Sequence, residues 1–307
     1  GGGPAGAAAA RLLASWGHSV RLLTRTVDHT RSLGESLPPS CEKLFDLLGA
    51  TDAINVSLLH GTGASCHSWR GVMPQLADRY TLIAPDLPGH AFTGSVRDAQ
   101  MTLPGMADAV DGLIQTMDIA PAAIIGHSAG AAIALTLVQG RYPDTPVIGL
   151  NPALAPFPWP ATQVFPAVAR LLALNPLVPK FFSGMTRIAG DTEGFIQRST
   201  GSRLDREGAR CYATLLGNSR HARGALAMMA NWDLDTLDRA LPGIANPVLL
   251  IHARGDDAIP LSGVQDAARK LPDATLEVLD GLGHLAHEEQ PERVAQLIRA
   301  FLEGRAI

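Results

Sequence analysis

AAIIGHSAGAAIAL, residues 122–135, reads as strand, tight turn and helix in immediate succession. The apolar run Ala122–Ile125 suits a short buried strand, and the Ala-rich run from Ala131 suits a helix. Between them Gly126-His127-Ser128-Ala129-Gly130 fits G-x-S-x-G. In that setting the glycines permit close backbone approach, and a strained turn lifts the serine hydroxyl above the sheet. The plainer alternative is an ordinary glycine-rich strand-to-helix turn.

Three further loops add chemistry, each after an apolar strand pattern. INVSLL (54–59) leads into His60-Gly61-Thr62-Gly63-Ala64-Ser65. Such a turn would aim backbone N–H groups at the serine, and those of Thr62 and Ala129 could together hold an oxyanion. PVLLI (247–251) leads into His252-Ala253-Arg254-Gly255-Asp256-Asp257-Ala258-Ile259-Pro260. An acid just past a strand end can orient a histidine and stabilise its imidazolium. Asp256 and Asp257 compete for that role. Asp256 is preferred because it lies four residues before Pro260, in the pattern D-x-x-[VI]-P. TLEVLD (275–280) leads into Gly281-Leu282-Gly283-His284-Leu285-Ala286-His287-Glu288-Glu289. His284, in the first turn after the strand, is the better general base. His287 would pair with a carboxylate or cap a helix. A His-x-x-His metal site fits poorly, because the adjoining acids suit a helix N-terminus better.

Further strands are expected at YTLIAPD (80–86) and PVIGLN (146–151). Helices are expected over 66–78, 103–118, 262–270 and 290–302. Continuous apolar strands alternating with helices indicate an α/β fold with a mostly parallel sheet covered on both faces.

The chain order Ser128, Asp256, His284 is that of the α/β-hydrolases, which the four loops together resemble over about residues 55–303. Several stretches resemble one subfamily more closely. They are LLHGTGASCHSWRGVMPQLADRYTLIAPDLPGH (58–90), IIGHSAGAAIAL (124–135), VARLLALNPLVP (168–179), TGSRLD (200–205), GALAMMANWDLDTL (224–237) and GLGHLAHEEQPE (281–292). They resemble the magnesium chelatase accessory proteins of bacteriochlorophyll biosynthesis. That resemblance implies a serine hydrolase fold working near magnesium insertion into protoporphyrin IX, with chelatase subunits as partners. Ala91 departs from the pattern, standing where the subfamily has a glycine.

Residues 1–54 read differently. Gly1, Gly3 and Gly6 fit G-x-G-x-x-G, and a helix pattern (7–16) and a short strand pattern (20–23) follow. This resembles the dinucleotide fingerprint of FAD-dependent monooxygenases and halogenases. The fingerprint needs a strand before its first glycine and an acid at the end of its second strand, where Thr24-Arg25-Thr26 stands. The expectation is a truncated flavoprotein remnant that binds no cofactor, with a junction near residues 54–57. It would occupy the place of the hydrolase fold's first two strands and leave the strand at Tyr80 as an edge. Val20–Leu23 is the candidate to cover that edge. A chain starting at Gly1 also reads as a processed, excised or truncated product.

The hydrolase core is assigned to 55–154 and 242–307, and a helical lid to 155–241. The lid's first half is apolar, with Phe157, Trp159, Phe165, Leu171, Leu172, Leu174, Phe181 and Phe182. It suits a bulky apolar or tetrapyrrole-like ligand, a peripheral membrane contact, or simply the lid's own core. Arg203, Arg206, Arg210, Arg220 and Arg223 would meet propionates or form a solvated face.

The 307 residues allow one large domain or two modest ones. At 46% apolar and 18% charged, the chain can fill a core and is not a disordered type. Lys and Arg total 25 against 29 for Asp and Glu, a formal charge of −4. A nucleic-acid binder would carry a basic excess. No apolar run is long enough to span a membrane. Cys41, Cys66 and Cys211 form no CxxC pair, which argues against a zinc site or disulfide framework and for a reducing, cytoplasmic setting.

Overall fold

A computed structural model describes residues 54–93, 98–156 and 191–305. The flavoprotein-like segment, with its glycine fingerprint and Val20–Leu23, lies outside them, as does the apolar half of the expected lid from Phe157 to Phe182.

The apolar runs pair as one parallel sheet of six strands: β1 (Ile54–Leu59), β2 (Tyr80–Ile83), β3 (Pro121–His127), β4 (Val147–Leu150), β5 (Val248–Ala253) and β6 (Ala274–Leu279). Their order is β2-β1-β3-β4-β5-β6. The three central strands β3, β4 and β5 are almost wholly buried, which is why they read as unbroken apolar runs. β6, at one edge, alternates between half-buried and exposed positions until Leu279. Among the described residues β2 pairs only with β1.

Side chains leave each strand alternately toward two cores. Leu59, Ile124, Val147, Val248 and Leu250 pack on one face with helices α2 (Leu103–Thr116), α3 (Ala129–Val138) and α8 (Leu261–Lys270). Val56, Leu58, Ile125, Ile148, Leu249 and Ile251 pack on the other with Trp69, α1 (Met73–Leu76) and α10 (Pro291–Glu303). The expected helix over 66–78 is broken: a 3₁₀ turn covers Cys66–Trp69 and α1 follows, with Pro74 in its first turn. Between them Gly71 passes against Pro291, where a β-carbon would lie 2.8 Å from that ring.

Between β4 and β5 the described chain adds α4 (Thr192–Thr200), α5 (Arg206–Leu216), α6 (Ser219–Ala230) and α7 (Asp235–Ala240). Asp191, Asp205 and Asn218 cap the first three with side-chain oxygens, satisfying N–H groups that a helix start leaves open. Met228, Leu234, Leu237 and Leu241 tie this insertion into the first core. Arg203, Arg206, Arg210, Arg220 and Arg223 of the insertion are all exposed. No helix among the described residues is long and apolar enough to cross a membrane.

Candidate active site

β3 ends at His127, and α3 begins at Ala129. Ser128 makes the whole turn between them, at φ 53° and ψ −117°. A non-glycine residue with that φ is strained, and strain of this kind persists only where the surroundings over-determine it. Two glycines allow the crowding. A β-carbon on Gly126 would lie 2.3 Å from the Gly130 backbone, and one on Gly130 would lie 2.2 Å from the Leu59 carbonyl. The serine's own N–H is held by the Leu150 carbonyl at 2.9 Å.

The loop after β1 lies against this turn. A β-carbon on Gly61 would be 3.0 Å from Cβ of Ser128. Residues 61–64 form a turn closed by the Ala64 N–H on the Gly61 carbonyl, with Gly63 at φ 77°. Thr62 is its second residue, so its N–H points away from the closing bond. Ala129 is the first residue of α3 and has no carbonyl behind it to bond. Among the described residues, neither N–H takes part in a backbone loop bond.

Past β5, the Asp256 side chain is fully buried. Its Oδ1 accepts the N–H groups of Ala258 and Ile259, each at 2.8 Å. Its Oδ2 accepts the Asn151 amide at 2.8 Å and Nδ1–H of His284 at 2.7 Å. Burial pushes this carboxyl up, but the bonds from His284, Ile259 and Asn151 outweigh it and hold the group below its ordinary range. Asp257 is exposed and its carboxylate does not bond His284. The structure thus pairs His284 with Asp256 and not with Asp257. His252 lies 4.0 Å from Asp256 Oδ2, too far for a hydrogen bond.

His127 joins the two halves. Its Nε2–H donates to the His284 carbonyl at 2.9 Å, so the residue before the serine holds the loop that carries the histidine. Burial pushes the His127 imidazole down to about 3, which keeps it neutral. The same loop is tied to the insertion: the Thr200 carbonyl accepts the His284 N–H at 2.8 Å, and Ser202 Oγ accepts that of Leu285 at 2.8 Å.

A model of the alpha/beta hydrolase family matches residues 58–297. The chain belongs to this family. It is 44% identical over 263 residues to the magnesium-chelatase 30 kDa subunit of Rhodobacter capsulatus, covering 83% of this chain and 89% of that protein. It is 30% identical over 259 residues to the pimeloyl-(acyl-carrier protein) methyl ester esterase of Aromatoleum aromaticum, covering 80% and 97%. Among solved structures, a thermophilic esterase from Thermogutta terrifontis aligns with a TM-score of 0.62 at 23% identity, covering 82% of this chain and 90% of that one. The parallel sheet and the alignment with this solved structure agree on the family's fold.

Several residues of this site carry no motif of their own. Asn151 follows β4 directly, at φ 42°, and its position at a strand's C-terminal end was the available signal. Among the described residues His287 neither pairs with a carboxylate nor caps a helix. It is wholly buried, its ring 4.4 Å from that of His127 and 5.0 Å from Trp69, and burial holds its imidazole well below the ordinary value. Ala91 sits at φ 44°, a region that glycine adopts at no cost.

Beside the histidine loop, a buried ion pair fastens the core to the insertion. Arg70 pairs with Glu288 and, at 2.6 Å, with Asp205, while the Tyr212 hydroxyl donates to Glu288 at 2.8 Å. The Glu288 side chain is fully buried. Burial pushes its carboxyl up to about 7, against the pull of Arg70 and Tyr212. A carboxyl raised on folding favours the folded state in acid and loses that contribution as pH climbs toward the folded value. Without Arg70 that value rises further. Arg70→Met should therefore track the wild type in mild acid and fall away from it above about pH 7, by about 1.4 kcal/mol per pH unit. Urea unfolding at several pH values checks this, and a gap independent of pH would contradict it.

Proposed function

We propose that this chain is a serine hydrolase acting on an ester or related acyl substrate. The reading is carried by the 2.7 Å bond between His284 and Asp256, on a loop bonded to the residue preceding the strained Ser128. In this reading Asp256 fixes His284 with its proton on Nδ1, which leaves Nε2 as the base. His284 takes the Ser128 hydroxyl proton as Oγ attacks the carbonyl carbon. The N–H groups of Thr62 and Ala129 stabilise the tetrahedral oxyanion. The imidazolium then gives its proton to the departing alcohol, and water repeats the sequence on the acyl-enzyme.

None of these steps calls for a metal or organic cofactor. The helices between β4 and β5 act as part of a lid, and the substrate is bulky and apolar or tetrapyrrole-like. Likeness to the Rhodobacter chelatase subunit supports a working partnership with magnesium chelatase subunits. It also supports a second reading, in which the fold binds a porphyrin or the chelatase and the three side chains are inherited.

A fluorophosphonate probe separates the two. The hydrolase reading expects stoichiometric labelling, mapped by mass spectrometry to Ser128. A folded sample that stays unlabelled and binds protoporphyrin IX tightly belongs to the second reading instead.

A further inference from the structure

The proposed oxyanion turn is held from outside the core. On α6, His221 is 1% exposed, and both its ring nitrogens are engaged with core loops. Its Nδ1 accepts the Ala91 N–H at 2.9 Å. Because that nitrogen is an acceptor, the ring proton sits on Nε2, which donates to the Gly63 carbonyl at 3.0 Å. Burial pushes this imidazole down to about 4, so it is neutral near pH 7.

Two other residues on the same helix face make contacts of the same sense, at the i+3 and i+7 positions. The backbone at Gly224 presses on Gly89, where a β-carbon would lie 1.9 Å from the carbonyl oxygen. Met228 accepts the Thr62 hydroxyl at its Sδ, 3.4 Å away. One face of α6 therefore rests on the Gly61–Ala64 turn and on the loop of Gly89 and Ala91. His60 completes the clamp from the core side, with Nδ1–H on the Gly61 carbonyl at 2.8 Å and Nε2 accepting the Leu87 N–H at 2.9 Å.

We propose that His221 is a positioning residue for oxyanion stabilisation: by holding the Gly63 carbonyl it fixes the turn that presents the Thr62 N–H, making α6 a working part of the site. This rests on the hydrolase reading above. The physical reason is the rigidity of the donor. Gly63 at φ 77° has no side chain to restrain it, and an oxyanion donor acts through preorganisation, so freedom of the turn costs rate rather than binding.

The two ring nitrogens can be mimicked separately. Asn puts its oxygen where Nδ1 stood and keeps the bond from Ala91. Gln puts its amide nitrogen where Nε2 stood and keeps the bond to Gly63. With a p-nitrophenyl ester, His221→Asn should lose about 10–100-fold in kcat with little change in KM, and His221→Gln should recover most of that loss. Equal rates in the two variants, or a loss confined to KM, would overturn the proposal.

If either variant fails to fold, the wild-type chain decides. The ¹⁵N-coupled Nε2 proton of His221 should shift when Ser128 is phosphonylated, and a resonance that does not move counts against the coupling. Failure of the underlying reading looks different, because wild type itself would then show no labelling at Ser128.

Discussion

Ser128→Ala should lower ester hydrolysis by about 10⁶-fold and abolish fluorophosphonate labelling, while leaving the melting temperature nearly unchanged. The rate effect follows from the proposed chemistry, since the alanine offers no atom to form the acyl-enzyme. The stability expectation follows from the turn. Ser128 lies at the start of α3 but makes no side-chain capping bond, so its hydroxyl contributes nothing to holding the helix end. The backbone strain at φ 53° is shared by both residues, and alanine is already tolerated at φ 44° in position 91. What clears the turn is the absence of side chains at Gly126 and Gly130, and this is untouched. A residual rate of about 10³–10⁴ over water should remain if the two N–H groups form an oxyanion hole. A variant that hydrolyses the ester at the wild-type rate would move the nucleophile elsewhere. A variant that binds protoporphyrin IX as well as wild type does is compatible with either reading.

What could be read from the chain and what could not divide along sequence distance. The turn at Ser128 is legible because strand, turn and helix are contiguous, and each has its own local signature. Asp256 is separable from Asp257 for a local reason as well. The Ala258 and Ile259 N–H groups curl back onto its Oδ1 just ahead of Pro260, which caps α8. The parallel sheet follows from the alternation of apolar strands and helices. The supporting bonds follow no such signal. Asn151 reaches Asp256 across 105 residues, His127 reaches His284 across 157, and His221 reaches Gly63 across 158. Each of these histidines is one of several in the sequence, all eight described ones are buried, and no local pattern says which ring will meet which carbonyl. Glu288 and Arg70 were hidden for a related reason. A glutamate in the first turn of α9 (Ala286–Glu289) reads as a solvated helix start, and only tertiary packing turns it into a buried partner for an arginine 218 residues away.

Asp256→Asn should lower kcat by about 10⁴-fold through the tautomer of His284, with the fold intact. The two carboxylate oxygens have unlike surroundings. Oδ1 faces two backbone N–H groups, so the asparagine carbonyl oxygen belongs there. The amide nitrogen then takes the place of Oδ2, opposite Nδ1 of His284. An NH₂ group can only donate at that point, which forces Nδ1 to accept and moves the imidazole proton to Nε2. The nitrogen that should take the serine proton is then already protonated. Asn151 need not resist the change: its Oδ1 has no partner among the described residues, so turning its amide over gives the new NH₂ group an acceptor. Removing the carboxylate also removes a pH dependence. Asp256 is held below its ordinary range, so its contribution to stability is present above that range and is lost as pH falls through the folded value, and the variant should show a flatter acid limb on unfolding. In the double variant Ser128→Ala/Asp256→Asn the rate should match Ser128→Ala alone, because His284 and Asp256 act only through the serine. Additive losses would mean that Asp256 serves something other than the nucleophile.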